Sequence, residues 1–180
     1  MRKLVLAALY TAFVLGANPA AAVDLTPLLT GEMEKLVPGA EPKLLPDAVL
    51  TKGDGTETSL AEYKGKWMVL NFWATWCAPC RREMPSLDRL QTLMPEIAVV
   101  PVAAGRNDPE RIDKFYAEAG VKVLPVLRDP KSQLARPMGV LGLPVTVIVD
   151  PEGREVARLI GGAEWDSPEA QVVLKALMAD

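Results

Sequence analysis

Residues 67–80, WMVLNFWATWCAPC, decide the fold and hold both cysteines of the 180-residue chain, Cys77 and Cys80. The first part of this segment is nearly all apolar, which is typical of a strand that is buried on both faces. Residues 79–94 then carry apolar side chains at helical spacing, so the cysteines lie where a strand ends and a helix begins. A dithiol in that position is suited to making and breaking one disulfide.

Other roles for the cysteine pair fit the sequence less well. A structural disulfide between residues so close in sequence would stabilise the fold by only about 2 kcal/mol. A structural zinc site takes four Cys or His ligands, whereas the chain has 2 cysteines and no histidine. Two inert buried thiols remain open, although Trp76 and Pro79 would then be accidental neighbours. The sequence predicts redox chemistry with no metal, and with no cofactor beyond a Cys77–Cys80 disulfide.

Composition narrows the class of protein. Hydrophobic residues make up 49% of the chain and charged residues 24%, which is the profile of a globular protein that can bury a core. The length indicates one domain. The net charge of −3 argues against a nucleic-acid partner, because nucleic-acid-binding proteins carry basic surfaces.

Residues 1–22 have the parts of a secretory signal peptide. Arg2 and Lys3 form the positive region, residues 4–17 form the apolar region, and three alanines at 20–22 form the cleavage site. An uncleaved membrane anchor is the alternative, but the apolar run would reach only about 21 Å as a helix, against a hydrocarbon core of about 30 Å. We therefore expect a cleaved, periplasmic, monomeric protein.

The rest of the chain predicts an N-terminal helix and a proline-punctuated connector within residues 23–46, followed by one α/β domain over residues 47–180. Helices are predicted at 24–37, 79–94, 109–120, 131–139 and 168–178, and strands at 48–51, 67–73, 97–103, 123–127, 145–149 and 155–160. This order indicates a mixed central sheet flanked by helices, with a hairpin at one end.

The element order and the Cys-x-x-Cys motif resemble the thioredoxin fold, and more closely the TlpA/ResA branch of exported thioredoxin-like proteins. The matching residues are NFWATWCAPCRREMP at 71–85, Gly-Leu-Pro at 142–144 and Asp-Pro-Glu-Gly at 150–153. The stretch Gly-Ala-Glu-Trp at 162–165 is most similar to the TlpA side of this branch. The resemblance implies a central strand-helix insertion, which falls within residues 101–129.

The two cysteines have different predicted roles. Cys77 lies at the N-terminus of the predicted helix, where the helix dipole favours a thiolate, so it is the candidate attacking thiol. Cys80 lies one turn further on and is the candidate for resolving the mixed disulfide. Pro79 fits the first helical turn, where a missing N–H has no effect, and is also a candidate substrate contact.

Three further substrate contacts are predicted. Trp76, beside the attacking cysteine, is expected to be an exposed platform for partners, whereas Trp73 and Trp165 are expected to be core residues. The family resemblance implies a cis bond between Leu143 and Pro144 that faces the dithiol and presents backbone to the substrate.

Glu83 is the third catalytic candidate. Thioredoxin carries a buried Asp at the position of Asn71, so the proton acceptor for Cys80 must come from elsewhere in this chain. Glu83 follows Cys80 by three residues, which places it on the same helix face, and the family resemblance assigns a functional acid to this position. A surface glutamate paired with a neighbouring arginine is the alternative.

These features predict a thiol–disulfide oxidoreductase that reduces cysteines of selected partner proteins. By resemblance, the partners belong to cytochrome c maturation or to copper-centre assembly of a terminal oxidase, and the electrons come from a membrane donor. An oxidant that inserts disulfides is one alternative. A Cu(I) carrier is another, because two thiolates suit Cu(I), although the chain lacks histidine and any Met-x-x-Met cluster. A peroxidase fits less well, because the second thiol lies beside the first.

Overall fold

Residues 24–179, the part of the chain that the computed structural model describes, contain eight strands and three α-helices. The predicted signal peptide lies outside these residues. Between residues 24 and 179, no helix combines the length and apolar character that crossing a bilayer requires. The elements are β1 (Leu36–Leu44), β2 (Leu50–Lys52), β3 (Glu57–Thr58), β4 (Met68–Trp73), α1 (Ala78–Leu93), β5 (Ala98–Ala104), α2 (Pro109–Ala119), β6 (Leu127–Asp129), β7 (Val145–Val149), β8 (Arg154–Ile160) and α3 (Pro168–Met178).

All eight strands form one mixed sheet in the order β1-β8-β7-β4-β5-β6-β2-β3. The strand that leads to the cysteines, β4, is central: it runs parallel to β5 and antiparallel to β7. Every residue of β4 is buried, as its apolar run predicts. The predicted mixed sheet is confirmed. The cysteines lie just beyond the C-terminal end of its central strand, β4.

The two faces of the sheet are covered differently. Trp73 of β4 packs in one core cluster with apolar side chains from α1, α2 and α3. Phe72, which precedes it in the strand, belongs to a second cluster that includes Leu134 and Met138. Neighbouring residues of a strand point to opposite faces, so all three α-helices cover one face, and non-helical chain contributes to covering the other.

The predicted α-helices that begin and end with clear capping residues are confirmed. Asp108 caps α2, with its carboxylate accepting from the backbone N–H of Glu110 at 3.0 Å, and Gly120 ends the helix in the left-handed conformation. Ser167 caps α3 through the N–H of Ala170 at 3.2 Å. In both helices a proline follows the cap, where its missing N–H is not needed.

The predictions for the N-terminal segment are wrong. In place of one helix over residues 24–37 there are two short 3₁₀-helices, Thr26–Leu28 and Gly31–Lys35, because Gly31 has a φ of 57° that interrupts the helical backbone. In place of the connector, β1 pairs antiparallel with β8 at one end of the sheet. Its prolines are tolerated because an edge strand needs ladder hydrogen bonds on one side only.

The predicted helix over residues 131–139 is also wrong, because this segment is a series of turns. Ser132 has a φ of 53°, which breaks a right-handed helix, and Pro137 has no N–H to donate. The carboxylate of Asp129 organises the turns: it accepts from the backbone N–H groups of Gln133 at 2.7 Å and of Leu134 and Ala135 at 2.9 Å.

We expect Asp129→Asn to lower the free energy of unfolding by about 2 kcal/mol. Asp129 is fully buried, and its two carboxylate oxygens accept hydrogen bonds from three backbone N–H groups. The side-chain amide of Asn has only one acceptor oxygen for these three donors. Denaturant unfolding of both proteins measures the difference. The matched control is Asp113→Asn at an exposed position of α2, and an equal effect of the two substitutions would contradict the assignment.

The strand predicted at 123–127 begins later, at Leu127. The carboxylate of Asp88 in α1 accepts from the backbone N–H groups of residues 122–124, at 2.9, 2.8 and 3.3 Å. These N–H groups are therefore not available to a strand ladder. The same contacts tie the segment after α2 to the helix that carries the cysteines.

Candidate active site

The two cysteines lie at the junction of β4 and α1 and form a disulfide in this structure. Cys77 is the N-cap of α1, and its sulfur accepts from the backbone N–H of Cys80 at 3.3 Å. Cys80 is 0% exposed and Cys77 is 6% exposed. Both sulfurs are therefore shielded, and Cys77 is the one that a partner disulfide can reach from solvent.

A side chain from a distant loop holds the residues that precede Cys77. Asn107, between β5 and α2, accepts through Oδ1 from the backbone N–H of Thr75 at 2.8 Å and from its hydroxyl at 3.1 Å. Its own amide donates to the carbonyl of Ala104 at 2.9 Å. Asn107 is buried, and its role was not predicted, because nothing in its local sequence indicates which loop it contacts.

The predicted cis bond between Leu143 and Pro144 is confirmed. Pro144 directly precedes β7, and its carbonyl accepts from the N–H of Gly161 at 2.9 Å. Leu143 packs against the core cluster that contains both cysteines. The contact of these two residues with a substrate stays a prediction.

Glu83 is a buried residue of α1, one helical turn beyond Cys80, and not a surface glutamate. Its Oε1 accepts from the side-chain amide of Asn71 at 2.9 Å, and its Oε2 accepts from the backbone N–H of Ala163 at 3.1 Å. Burial raises the pKa of Glu83 from 4.5 to about 7, against these two hydrogen bonds, which lower it. The group can therefore both take and release a proton near neutral pH.

Asn71 explains how the acid can lie on the helix and not on the strand. Its amide Nδ2 donates both to Glu83 and, at 2.9 Å, to the hydroxyl of Thr146, which lies opposite it in β7. An ionised Asp at position 71 has no proton to donate and would repel the Glu83 carboxylate. Thr146 was not predicted as a site residue, although its polar side chain within the apolar run 145–149 was a signal.

A cleft of about 180 Å³ leads from the surface to the Glu83 carboxylate. Gly162 forms part of its wall, and a Cβ there would lie 3.6 Å from Oε2 of Glu83. The N-terminal segment closes one side: Lys35 donates to the carbonyl of Gly162, and Glu32 accepts from the N–H of Glu164 at 2.6 Å. Glu83 therefore has a route for proton exchange with solvent, built partly by residues predicted as a separate N-terminal helix.

The tryptophans divide as predicted. Trp76 is 70% exposed beside Cys77, whereas Trp73 and Trp165 are each 1% exposed. Pro79 is half-buried in the first turn of α1. An exposed tryptophan next to the reactive sulfur offers apolar surface to a partner, and its substrate contact stays a prediction.

The chain is similar to known proteins in sequence and in fold. The AhpC/TSA family matches residues 43–156 of the chain. The thiol-disulfide oxidoreductase ResA of Geobacillus thermodenitrificans is 36% identical over 118 residues, which cover 65% of this chain and 67% of that protein.

Two solved structures are similar to this chain over about three quarters of its length. A thiol:disulfide interchange protein of Chlorobium tepidum has a TM-score of 0.63 at 26% identity, and covers 77% of this chain and 99% of its own. The exposed lipoprotein thioredoxin of Streptococcus pneumoniae has a TM-score of 0.61 at 29% identity, and covers 75% of this chain and 100% of its own. The predicted thioredoxin-like fold is confirmed.

Proposed function

The chain belongs to the AhpC/TSA family as a ResA-like thiol-disulfide oxidoreductase, and on this basis we propose that it is an exported reductant of partner proteins. The proposed direction of electron transfer, from this protein to its partner, rests on the buried carboxylate of Glu83, one helical turn from Cys80. A strongly oxidising dithiol owes its potential to a stabilised thiolate. A nearby carboxylate opposes a second negative charge on sulfur, which favours the disulfide form and so a reducing protein.

The reaction moves two electrons from the dithiol to the partner. The Cys77 thiolate attacks a partner disulfide, a mixed disulfide forms, and the departing partner sulfur takes a proton from water. Glu83 accepts the proton of Cys80, whose thiolate attacks the sulfur of Cys77. The Cys77–Cys80 disulfide forms and the second partner sulfur leaves as a thiolate, which takes a proton from water, and Glu83 releases the proton of Cys80 to solvent. An external dithiol donor, which we propose to be a membrane protein of the thiol-disulfide relay, reduces the enzyme again.

We propose that the partners are proteins of cytochrome c maturation or of copper-centre assembly. The support is the resemblance of residues 71–85 to the TlpA/ResA branch, together with the exposed Trp76 beside Cys77. That the protein works as a monomer, without metal or further cofactor, stays part of the proposal.

The reduction potential tests the direction of the reaction. We expect a value below about −200 mV, because strong oxidants such as DsbA lie near −120 mV. Equilibration of the purified protein with glutathione buffers measures it. A reduction potential near that of the strong oxidants would contradict the proposed reductase function and favour the alternative, an oxidant that inserts disulfides.

Trapping tests the partners. A Cys80→Ser variant, which cannot resolve the mixed disulfide, is expected to retain disulfide-containing assembly proteins that mass spectrometry identifies after release with dithiothreitol. The double variant Cys77→Ser/Cys80→Ser is the matched control. Recovery of the same proteins from both variants would contradict the proposal.

We also propose that residues 1–22 are a cleaved signal peptide and that the protein is periplasmic. The support is the charged, apolar and small-residue order of this segment. N-terminal sequencing of the exported protein is expected to begin near Val23. An intact Met1 would favour the membrane-anchor alternative.

A further inference from the structure

A second cleft lies beside the reactive disulfide, between the start of α1 and the helix α2. Its volume is about 270 Å³, and its lining includes Trp76, Arg81, Arg111, Lys114, Phe115 and Glu118. Trp76 connects it to the dithiol, because this exposed residue directly precedes Cys77. The reaction described above gives no role to this cleft.

The cleft is electropositive, although the chain as a whole has a net charge of −3. Arg81, Arg111 and Lys114 contribute three cations, whereas Glu118 contributes one carboxylate. Glu118 is shared between Arg81 at 4.0 Å and Lys114 at 3.9 Å. Within residues 24–179, Arg111 forms no ion pair. The wall of the cleft therefore keeps an excess of positive charge for a partner.

The wall is also held in place before a partner arrives. The guanidinium of Arg81 lies over the ring of Phe115, with its Cζ 4.8 Å from the ring centroid. Phe115 and Tyr116 pack on Trp73 of β4 at centroid distances of 5.5 and 5.8 Å. Because α2 is anchored to the strand that leads to the cysteines, binding at the cleft requires little reorganisation.

A mixed disulfide with Cys77 places the substrate residues that flank the bonded cysteine near this cleft. Disulfide geometry brings the Cα atoms of two bonded cysteines to about 5–6 Å from each other, and an extended chain advances about 3.3 Å per residue. Residues within about four positions of the substrate cysteine must therefore cross the surface around Cys77, of which Trp76 and the cleft form one side.

We infer that the cleft selects substrates that carry Asp or Glu within about four residues of the reactive cysteine, an inference that rests on the proposed reductase function. The carboxylates contact Arg111 and Lys114 while the cysteine lies at Cys77. Exposed ion pairs of this kind act mainly on the association rate and weaken with salt.

Reduction of matched peptides tests this selection. Each peptide contains the same disulfide loop, flanked by aspartates, by serines or by lysines, and the second-order rate constant of its reduction is measured. In the wild type we expect the acidic peptide to react fastest and the basic peptide slowest. The ratio of the acidic to the neutral rate is expected to fall as the ionic strength rises from about 0.05 to about 0.5 M.

The variant Arg111→Ala/Lys114→Ala is expected to lower this ratio by about threefold to tenfold. The control Lys131→Ala/Arg136→Ala removes the same charge from exposed positions of the turn segment, whose apolar residues belong to the second core cluster, and is expected to keep the ratio of the wild type. Equal reduction of all three peptides by the wild type, or an equal loss of preference in both variants, would overturn the inference. Failure of the wild type to reduce even the neutral peptide would overturn the proposed function itself.

Discussion

Replacement of Cys77 by serine is expected to abolish the reduction of a model disulfide, whereas Cys80→Ser is expected to stop the reaction at a stable mixed disulfide. Cys77 is the less shielded sulfur and caps the N-terminus of α1, where the helix dipole and the N–H of Cys80 favour its thiolate. Cys80 is completely buried and can reach the sulfur of Cys77 but not a partner.

Mass spectrometry of each variant after incubation with a small disulfide distinguishes the two roles. The adduct should form with Cys80→Ser and should be absent with Cys77→Ser and with the double variant. An adduct on the Cys77→Ser variant alone would reverse the assignment, and equal loss in both single variants would reject the mechanism.

The second large effect concerns Glu83→Gln, which is expected to lower the pKa of at least one thiol and, at the same time, to slow turnover. The pKa falls because a neighbouring negative charge no longer opposes the thiolate. Turnover falls because the group that takes the proton of Cys80 is lost. The two changes affect thiolate reactivity in opposite directions, so pKa and rate have to be measured on the same protein.

Thiol titration by ultraviolet absorbance and steady-state reduction rates measure these two quantities. In the wild type the titrations of thiols and carboxyl are expected to be coupled. Glu96→Gln, at an exposed position after α1, is the matched control and should change neither. Wild-type values of both quantities in Glu83→Gln would remove Glu83 from the mechanism.

Glu83 also makes stability depend on pH. Its pKa is about 7 in the folded protein and near 4.5 without burial, so the folded state holds the proton more tightly. Its contribution to stability is complete below pH 4.5 and is lost as the pH rises through about 7. Glu83→Gln lacks this pH-dependent loss. The difference in the free energy of unfolding between the wild type and Glu83→Gln should therefore change by on the order of 3 kcal/mol between pH 4 and pH 8. If the free energy of unfolding varied with pH in the same way in both proteins, this result would contradict the raised pKa of Glu83.

Local patterns were enough to predict the centre of the molecule. The apolar run before the cysteines predicted a fully buried strand, the residues after them predicted α1, and the helices predicted at 109–120 and 168–178 correspond to α2 and α3. These features depend on side-chain periodicity and on caps that act within one helical turn. The same reasoning failed at residues 24–46 and 131–139, because strand pairing and a buried carboxylate decided the backbone there.

The sequence by itself determined the dithiol, its position at a helix N-terminus and the face of the helix on which Glu83 lies. Only the tertiary structure decided the environment of that carboxylate, because its partners are remote in sequence. Ala163 is 80 residues from Glu83, and Thr146 is 75 residues from Asn71. A pKa depends on how completely such distant groups exclude water and which dipoles they present, and folding alone brings them together.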